Sequence, residues 1–92
     1  MAVRNRAKLG YWTDGNIRMK VDTKKSLGIK EELRHLNGLW YIAYLTGAAD
    51  FDLEFSVRSH DELKKLLERI NAIDGVLSTE VSIRLELIKQ AL

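Results

Sequence analysis

Phe51-Asp52-Leu53-Glu54-Phe55-Ser56-Val57 sets four apolar side chains in strict alternation with three polar ones. Successive side chains of an extended chain point to opposite faces, so this stretch reads as a strand with one buried and one open face. Upstream, Leu39 to Thr46 is rich in aromatic and β-branched residues, carries apolar groups on both faces and lies between Gly38 and Gly47. It reads as a strand covered on both sides. The Gly47-Ala48-Ala49 connection is short enough to make the two a hairpin.

Outward from the hairpin the period changes. Ile29, Leu33 and Leu36 recur at helical spacing, and Asn37-Gly38 supplies a stop, which predicts a helix over Ser26 to Leu36. Before it, Ile17, Met19 and Val21 alternate with Arg18 and Lys20, predicting a first strand from Asn16 to Asp22. On the other side, Ser59 and Glu62 form a capping box ahead of Leu63, Leu66, Leu67 and Ile70, a second helix that stops at Asp74-Gly75. Val81, Ile83, Leu85 and Leu87 then alternate with Glu80, Ser82, Arg84 and Glu86, predicting a last strand from Thr79 to Ile88. Residues 1–14 show no apolar period, contain Arg4, Arg6 and Lys8, and read as an arm or linker, leaving residues 15–92 as the domain.

The order βαββαβ suits an α+β, ferredoxin-like fold: a four-stranded antiparallel sheet with two helices on one face, and strand one between strands three and four. The open face then holds Arg18 and Lys20 beside Asp52 and Glu54, with Glu80, Arg84 and Glu86 on the flank. Opposite charges across strands contribute roughly 0.2–1 kcal/mol per pair, so this face is internally compensated.

Bulk properties narrow the functional classes. A chain of 92 residues has room for one domain and buries a modest share of its surface, which favours self-association. Apolar content of 46% and charged content of 30% are ordinary globular values. The net charge of +2 is weak support for nucleic-acid binding. The absence of cysteine removes disulfides, thiolate metal sites and cysteine nucleophiles. The longest apolar run, Leu39–Leu45, falls far short of the roughly 20 residues of a membrane span, and no signal-peptide core is seen at the start. A cytoplasmic location follows by default.

Chemical motifs are sparse. An RNA-recognition sheet displays aromatics on its open face, whereas Phe51 and Phe55 share the phase of Leu53 and Val57 and belong under the helices. His35 and His60 lack partners at metal-ligand spacing and read as solvated surface residues. Asp50, Asp52 and Glu54 face one way, as an acid–base pair requires, but Arg18 and Lys20 can neutralise them and no nucleophile accompanies them. No phosphate loop or nucleophile elbow is present. The sequence thus offers no catalytic residues, no metal site and no cofactor. Trp40, Ile42 and Tyr44 on the doubly apolar strand fit two readings: cover by a partner subunit, or a half-buried edge with the indole N–H in water. The Thr46-Gly47-Ala48-Ala49-Asp50 loop exposes backbone N–H groups, although glycine and aspartate are ordinary turn residues and chemistry alone favours a structural role.

These pieces together resemble the C-terminal effector domain, or RAM domain, of the Lrp/AsnC (feast/famine) transcriptional regulators. The likeness runs from about Lys8 to Leu87: Leu9-Gly10-Tyr11 ahead of strand one, the Thr46-Gly47-x-x-Asp50 hairpin, Asp61-Glu62-Leu63 opening the second helix, and Gly75-Val76 followed by Thr79. Family members place a helix-turn-helix before this domain, so the resemblance implies a stand-alone or truncated regulator that makes no direct nucleic-acid contact. It implies dimers with two sheets face to face in a dimeric α/β barrel-like assembly, octamers or open rings built from them, and an amino-acid effector between dimers. It also implies co-assembly with full-length relatives. By position, Thr46, Gly47, Ala48, Ala49, Asp50 and Thr79 line the effector pocket, with Asp50 facing the ammonium and backbone N–H groups near Gly47 the carboxylate. Ala48 and Ala49 stand where the family has acidic and aromatic residues, and Val81 where it commonly has a second threonine. The alternatives are a small monooxygenase-like dimeric α+β barrel enzyme and a ligand-free oligomerisation domain.

Overall fold

The computed structural model describes residues 12–91. The arm cations Arg4, Arg6 and Lys8 and the Leu9-Gly10-Tyr11 stretch lie outside the described residues. The element order is β1 (Thr13–Val21), α1 (Ser26–Arg34), β2 (Leu39–Tyr44), β3 (Phe51–Val57), α2 (His60–Asn71) and β4 (Val76–Ile83), with a 3-10 turn at Thr23–Lys25. All strand pairs are antiparallel in the order β2-β3-β1-β4, which sets β1 between β3 and β4 as the sequence predicts.

One core fills the space between sheet and helices. Ile17 and Met19 of β1 and the four apolar residues of β3 have no accessible surface. They pack with Ile29 and Leu33 from α1 and Leu63, Leu66 and Ile70 from α2. Burying each such side chain contributes roughly 1.5–3 kcal/mol, so this layer is what holds the sheet to the helices. The 3-10 turn ahead of α1 and the helix α2 each begin on a side-chain cap. The Asp22 carboxylate accepts from the Lys24 N–H at the 3-10 turn, and Ser59 Oγ accepts from the Glu62 N–H at 3.0 Å. Glu62 closes the box by accepting from the N–H of Arg58, one residue outside the cap.

Several boundaries differ from expectation, and β2 ends at Tyr44 and not at Thr46. β1 begins at Thr13, within the stretch read as an arm. The cause is Gly15, whose missing Cβ leaves room for the Ser82 carbonyl and the Phe55 ring; an inward position with no side chain carries no apolar signal. α1 gives way after Arg34 to tighter turns, with Leu36 N–H donating to the Leu33 carbonyl, before Gly38 at φ 98° reverses the chain. β4 occupies Val76–Ile83 rather than Thr79–Ile88. Its last ladder partner is Gly15, and after the Arg84 N–H donates to the Asp14 carbonyl, residues 84–91 run on without regular structure.

On the open face, register sets Arg18 between Asp52 and Glu80, and Lys20 opposite Ser78. The ionic contacts are made by other groups. Arg84 reaches Glu54 at 3.1 Å and Asp14 at 3.4 Å, while the Asn16 amide donates to Asp52 and Glu54. The expected neutralisation by Arg18 and Lys20 is thus replaced by a cation that enters from beyond the end of β4 and a neutral amide on β1.

Candidate functional site

The ends of β1 and β2 and the starts of β3 and β4 meet at one edge of the sheet. The connection from Leu45 to Asp50 closes there through the Leu45 N–H on the Asp50 carbonyl at 2.7 Å. The Asp50 N–H donates to the Met19 carbonyl, and the Asp50 carboxylate accepts from the Val21 N–H, both at 2.8 Å. That second bond falls at the irregularity between Lys20 and Val21, where the β1–β4 register shifts. Asp50 therefore anchors the hairpin to a point of β1 that ladder bonding leaves weak. One of its oxygens is committed to this bond, leaving the other for a further donor.

Above this anchor, Thr46, Gly47 and Ala48 are exposed and Ala49 is buried. Gly47 takes φ 133°, a conformation L residues rarely adopt, and no atom lies within 4 Å of where its Cβ would stand. The loop tip thus offers backbone to an approaching molecule and offers it no charged side chain. Thr79 pairs with Met19 on the side of β1 away from the hairpin and lies on the helix side of the sheet. Its hydroxyl donates to the Asn71 side-chain carbonyl at 3.2 Å, at the end of α2. Within one chain, Thr79 and the hairpin share an end of the sheet but are separated by β1.

The β2 residues divide between faces. Register puts Ile42 opposite Leu53 and Tyr44 opposite Phe51, on the helix side at the sheet's edge, whereas Tyr41 stands opposite Glu54 on the open face. A register shift between Leu39 and Tyr41 places Trp40 at the turn-over point, edge-to-face with Tyr41 at 6.1 Å between rings. Tyr44 packs 4.9 Å from the Phe51 ring, with the Lys30 ammonium 4.4 Å from its own centroid. Lys30, Arg34, Ile42, Tyr44 and Phe51 line a shallow groove of about 170 Å³ between α1 and β2. Trp40, Ile42 and Tyr44, the expected interface residues, are all partly exposed.

A larger open hollow, about 640 Å³, runs along α2 past His60, Leu63, Leu67 and Asn71. It borders Thr79 through Asn71 and lies apart from the hairpin. All of its lining residues lie on α2 or at its C-terminal cap, with the polar His60, Lys64, Glu68 and Asn71 beside Leu63, Leu67 and Ala72, so it is an open helix flank and a poor match to an enclosed small-molecule site. His60 opens α2 and His35 closes α1, both exposed. Sequence reasoning missed Asn16, Asn71 and Lys30. Each acts across the sheet or between layers, and none belongs to a motif that a linear reading picks out.

The profile described as the Lrp/AsnC ligand binding domain matches residues 16–91. An uncharacterized HTH-type transcriptional regulator of Pyrococcus furiosus is 35% identical over 83 residues, covering 89% of this chain and 56% of that protein. Among solved structures, Escherichia coli AsnC superposes with a TM-score of 0.86 at 24% identity, over 100% of this chain and 63% of that one. A Neisseria meningitidis transcriptional regulator, solved as an L-Met complex, gives 0.83 at 17% identity over 98% and 60%. These structural likenesses carry the fold; the chain spans a little over half the length of the curated relatives it matches. With a matching family profile over most of its length and sequence relatives among the HTH-type regulators, the chain belongs to the Lrp/AsnC ligand binding domain family.

Proposed function

We propose that this chain is an effector-sensing and oligomerisation domain of transcriptional regulation, which binds a free amino acid or a related small metabolite where subunits meet. The observation that carries the reading is the hairpin itself: an exposed backbone tip at Thr46, Gly47 and Ala48, rooted by an Asp50 carboxylate with one oxygen uncommitted. An ammonium suits that oxygen, and a ligand carboxylate suits the open N–H groups near Gly47. A single chain supplies one wall of such a pocket, with Thr79 beyond β1, so a second subunit completes it. Trp40, Ile42 and Tyr44 provide the apolar contact between subunits. Support also comes from two regulators of the same fold, from Neisseria meningitidis and Mycobacterium tuberculosis, whose structures are described as complexes with L-Met or L-methionine.

In this reading the chain is not an enzyme and uses no cofactor. It works in the cytoplasm as dimers that assemble further into octamers or rings, and it touches DNA only through full-length relatives in mixed assemblies. The effector acts by favouring one assembly over another, which requires a difference in its affinity for the two. Light-scattering mass over a dilution series, with single amino acids added and L-methionine first, tests it. The expected result is an oligomer whose mass or thermal midpoint shifts with one ligand and not with its relatives. An oligomer indifferent to every amino acid leaves a ligand-free oligomerisation domain, and a monomer at all concentrations overturns the reading.

A further inference from the structure

The groove between α1 and β2 joins two cations to an apolar floor. Lys30 and Arg34 stand one turn apart on α1, beside Ile42, Tyr44 and Phe51, and no carboxylate lines the hollow. Like charges at that spacing repel and cost helix stability, so the fold by itself gains nothing from setting both here. Among the described residues Lys30 makes no ion pair; its ammonium rests 4.4 Å from the centre of the Tyr44 ring. Arg34 meets Glu31 through one nitrogen at 3.3 Å, in a solvent-exposed pair worth little, which leaves the rest of its donor fork available.

We propose that this groove binds a small carboxylate with an apolar branched or aromatic body and no ammonium group, the class that includes the 2-oxo acids left when apolar amino acids lose their amino group. The ligand carboxylate lies between the Lys30 ammonium and the Arg34 guanidinium, whose planar fork suits it. The body packs against Ile42 and the Tyr44 and Phe51 rings, which stand 4.9 Å apart. Phe51, fully buried, fixes the floor, and the half-exposed Tyr44 forms the outer wall. Size agrees with the chemistry. The hollow of about 170 Å³ is close to the roughly 150 Å³ that takes a benzene molecule in an apolar cavity, room for one ring or a short branched chain.

Charge separates this groove from the hairpin. Asp50 offers a carboxylate to an incoming ammonium, whereas Lys30 and Arg34 repel one, so a free amino acid suits the hairpin and its deaminated counterpart suits the groove. The two sites share a support, because Tyr44 ends β2 and Phe51 begins β3 on either side of the hairpin. Ile42 and Tyr44 are also the residues given above to contact between subunits, so an occupied groove alters the surface that a second subunit meets. Binding itself does not depend on that reading, since every lining group comes from one chain.

Saturation-transfer NMR on the full chain tests the groove, with 4-methyl-2-oxopentanoate and benzoate as probes and 3-methylbutan-1-amine, similar in body and opposite in charge, as control. The two carboxylates are expected to bind with Kd on the order of 0.1–1 mM, and the amine to give no saturable signal. Lys30→Met and Arg34→Met sit at partly exposed and exposed positions of α1 and keep a similar helix propensity, so both variants should fold, as circular dichroism checks. Each weakens the carboxylates by about tenfold or more, the loss of one charge-assisted contact. Carboxylates that do not bind, that bind equally well to both variants, or that bind no better than the amine overturn the proposal. So does their displacement by L-methionine, which would put them in the hairpin pocket instead. An assembly indifferent to every amino acid, together with carboxylate binding that Arg34→Met removes, overturns the hairpin reading and leaves the groove standing.

Discussion

Strands β3 and β4 carry the same kind of alternation, yet they have opposite fates. In β3 every apolar side chain is 0% exposed, whereas Val81 and Ile83 of β4 are 39% and 44% exposed and Leu85, two residues past the strand's end, is 96% exposed. The difference is position in the sheet. β3 has a strand on each side and helices across its inner face, while β4 is an edge paired to β1 alone. Alternation therefore identifies a strand and its two faces, and says little about how much of the apolar face is covered.

Four measurements break or sharpen this contrast. The largest effect belongs to the centre. Phe55→Ala removes a fully buried ring and is expected to cost about 3–5 kcal/mol, a large share of the stability of so small a domain, read as a drop in urea midpoint. A loss there no larger than at β4 would show that the two strands are not energetically distinct.

Next comes the anchor of the hairpin. Asp50→Ala leaves the Val21 N–H without its carboxylate acceptor and is expected to cost about 1–3 kcal/mol. Amide exchange at Val21 should quicken more than at Leu53, which lies in the centre of β3. Equal exchange would mean the carboxylate does not hold this end of β1.

The edge strand gives a smaller and conditional effect. Val81→Ala and Leu85→Ser are expected to lower stability by less than about 1 kcal/mol in dilute, monomeric protein. In concentrated protein the cost rises if an assembly covers this edge. An effect that does not vary with concentration would place the partner elsewhere.

The smallest effect lies at the exposed Lys25–Asp74 pair, 2.9 Å apart. The hydrogen bond and charge of Asp74 raise the Lys25 ammonium above its usual 10.5. A group whose pKa is raised on folding stabilises below its unfolded pKa and loses that contribution as pH climbs through the folded one. Lys25→Met should therefore be slightly less stable than wild type at neutral pH, with the gap closing at strongly alkaline pH. A gap that widens with alkalinity would contradict the sign.

Much of the architecture could be read from the chain because it rests on local signals. The inner phase of Phe51 to Val57, the helical spacing of Leu63, Leu66 and Ile70, and the Ser59–Glu62 cap all lie within a few residues, and each appears where it was expected. The candidate site was legible in part. Thr46, Gly47 and Ala48 are exposed at the hairpin tip while Ala49 is buried, and nothing in the sequence says that Asp50 is spent on Val21 or that Thr79 bonds Asn71.

Periodicity and capping, which depend on near neighbours, let the sequence by itself determine the order of elements, their faces and their glycine-marked stops. Tertiary structure decided the rest. It set where β4 ends, because a strand lasts only as long as its partner β1. It extended β1 to Thr13, because Gly15 allows β4 and Phe55 to close in. It gave Glu54 to Arg84 instead of to Arg18 or Lys20, and Asp14 to the same guanidinium, across separations of 30 and 70 residues. Those outcomes depend on which segments become neighbours in space, and a periodic pattern read along one chain contains no record of that.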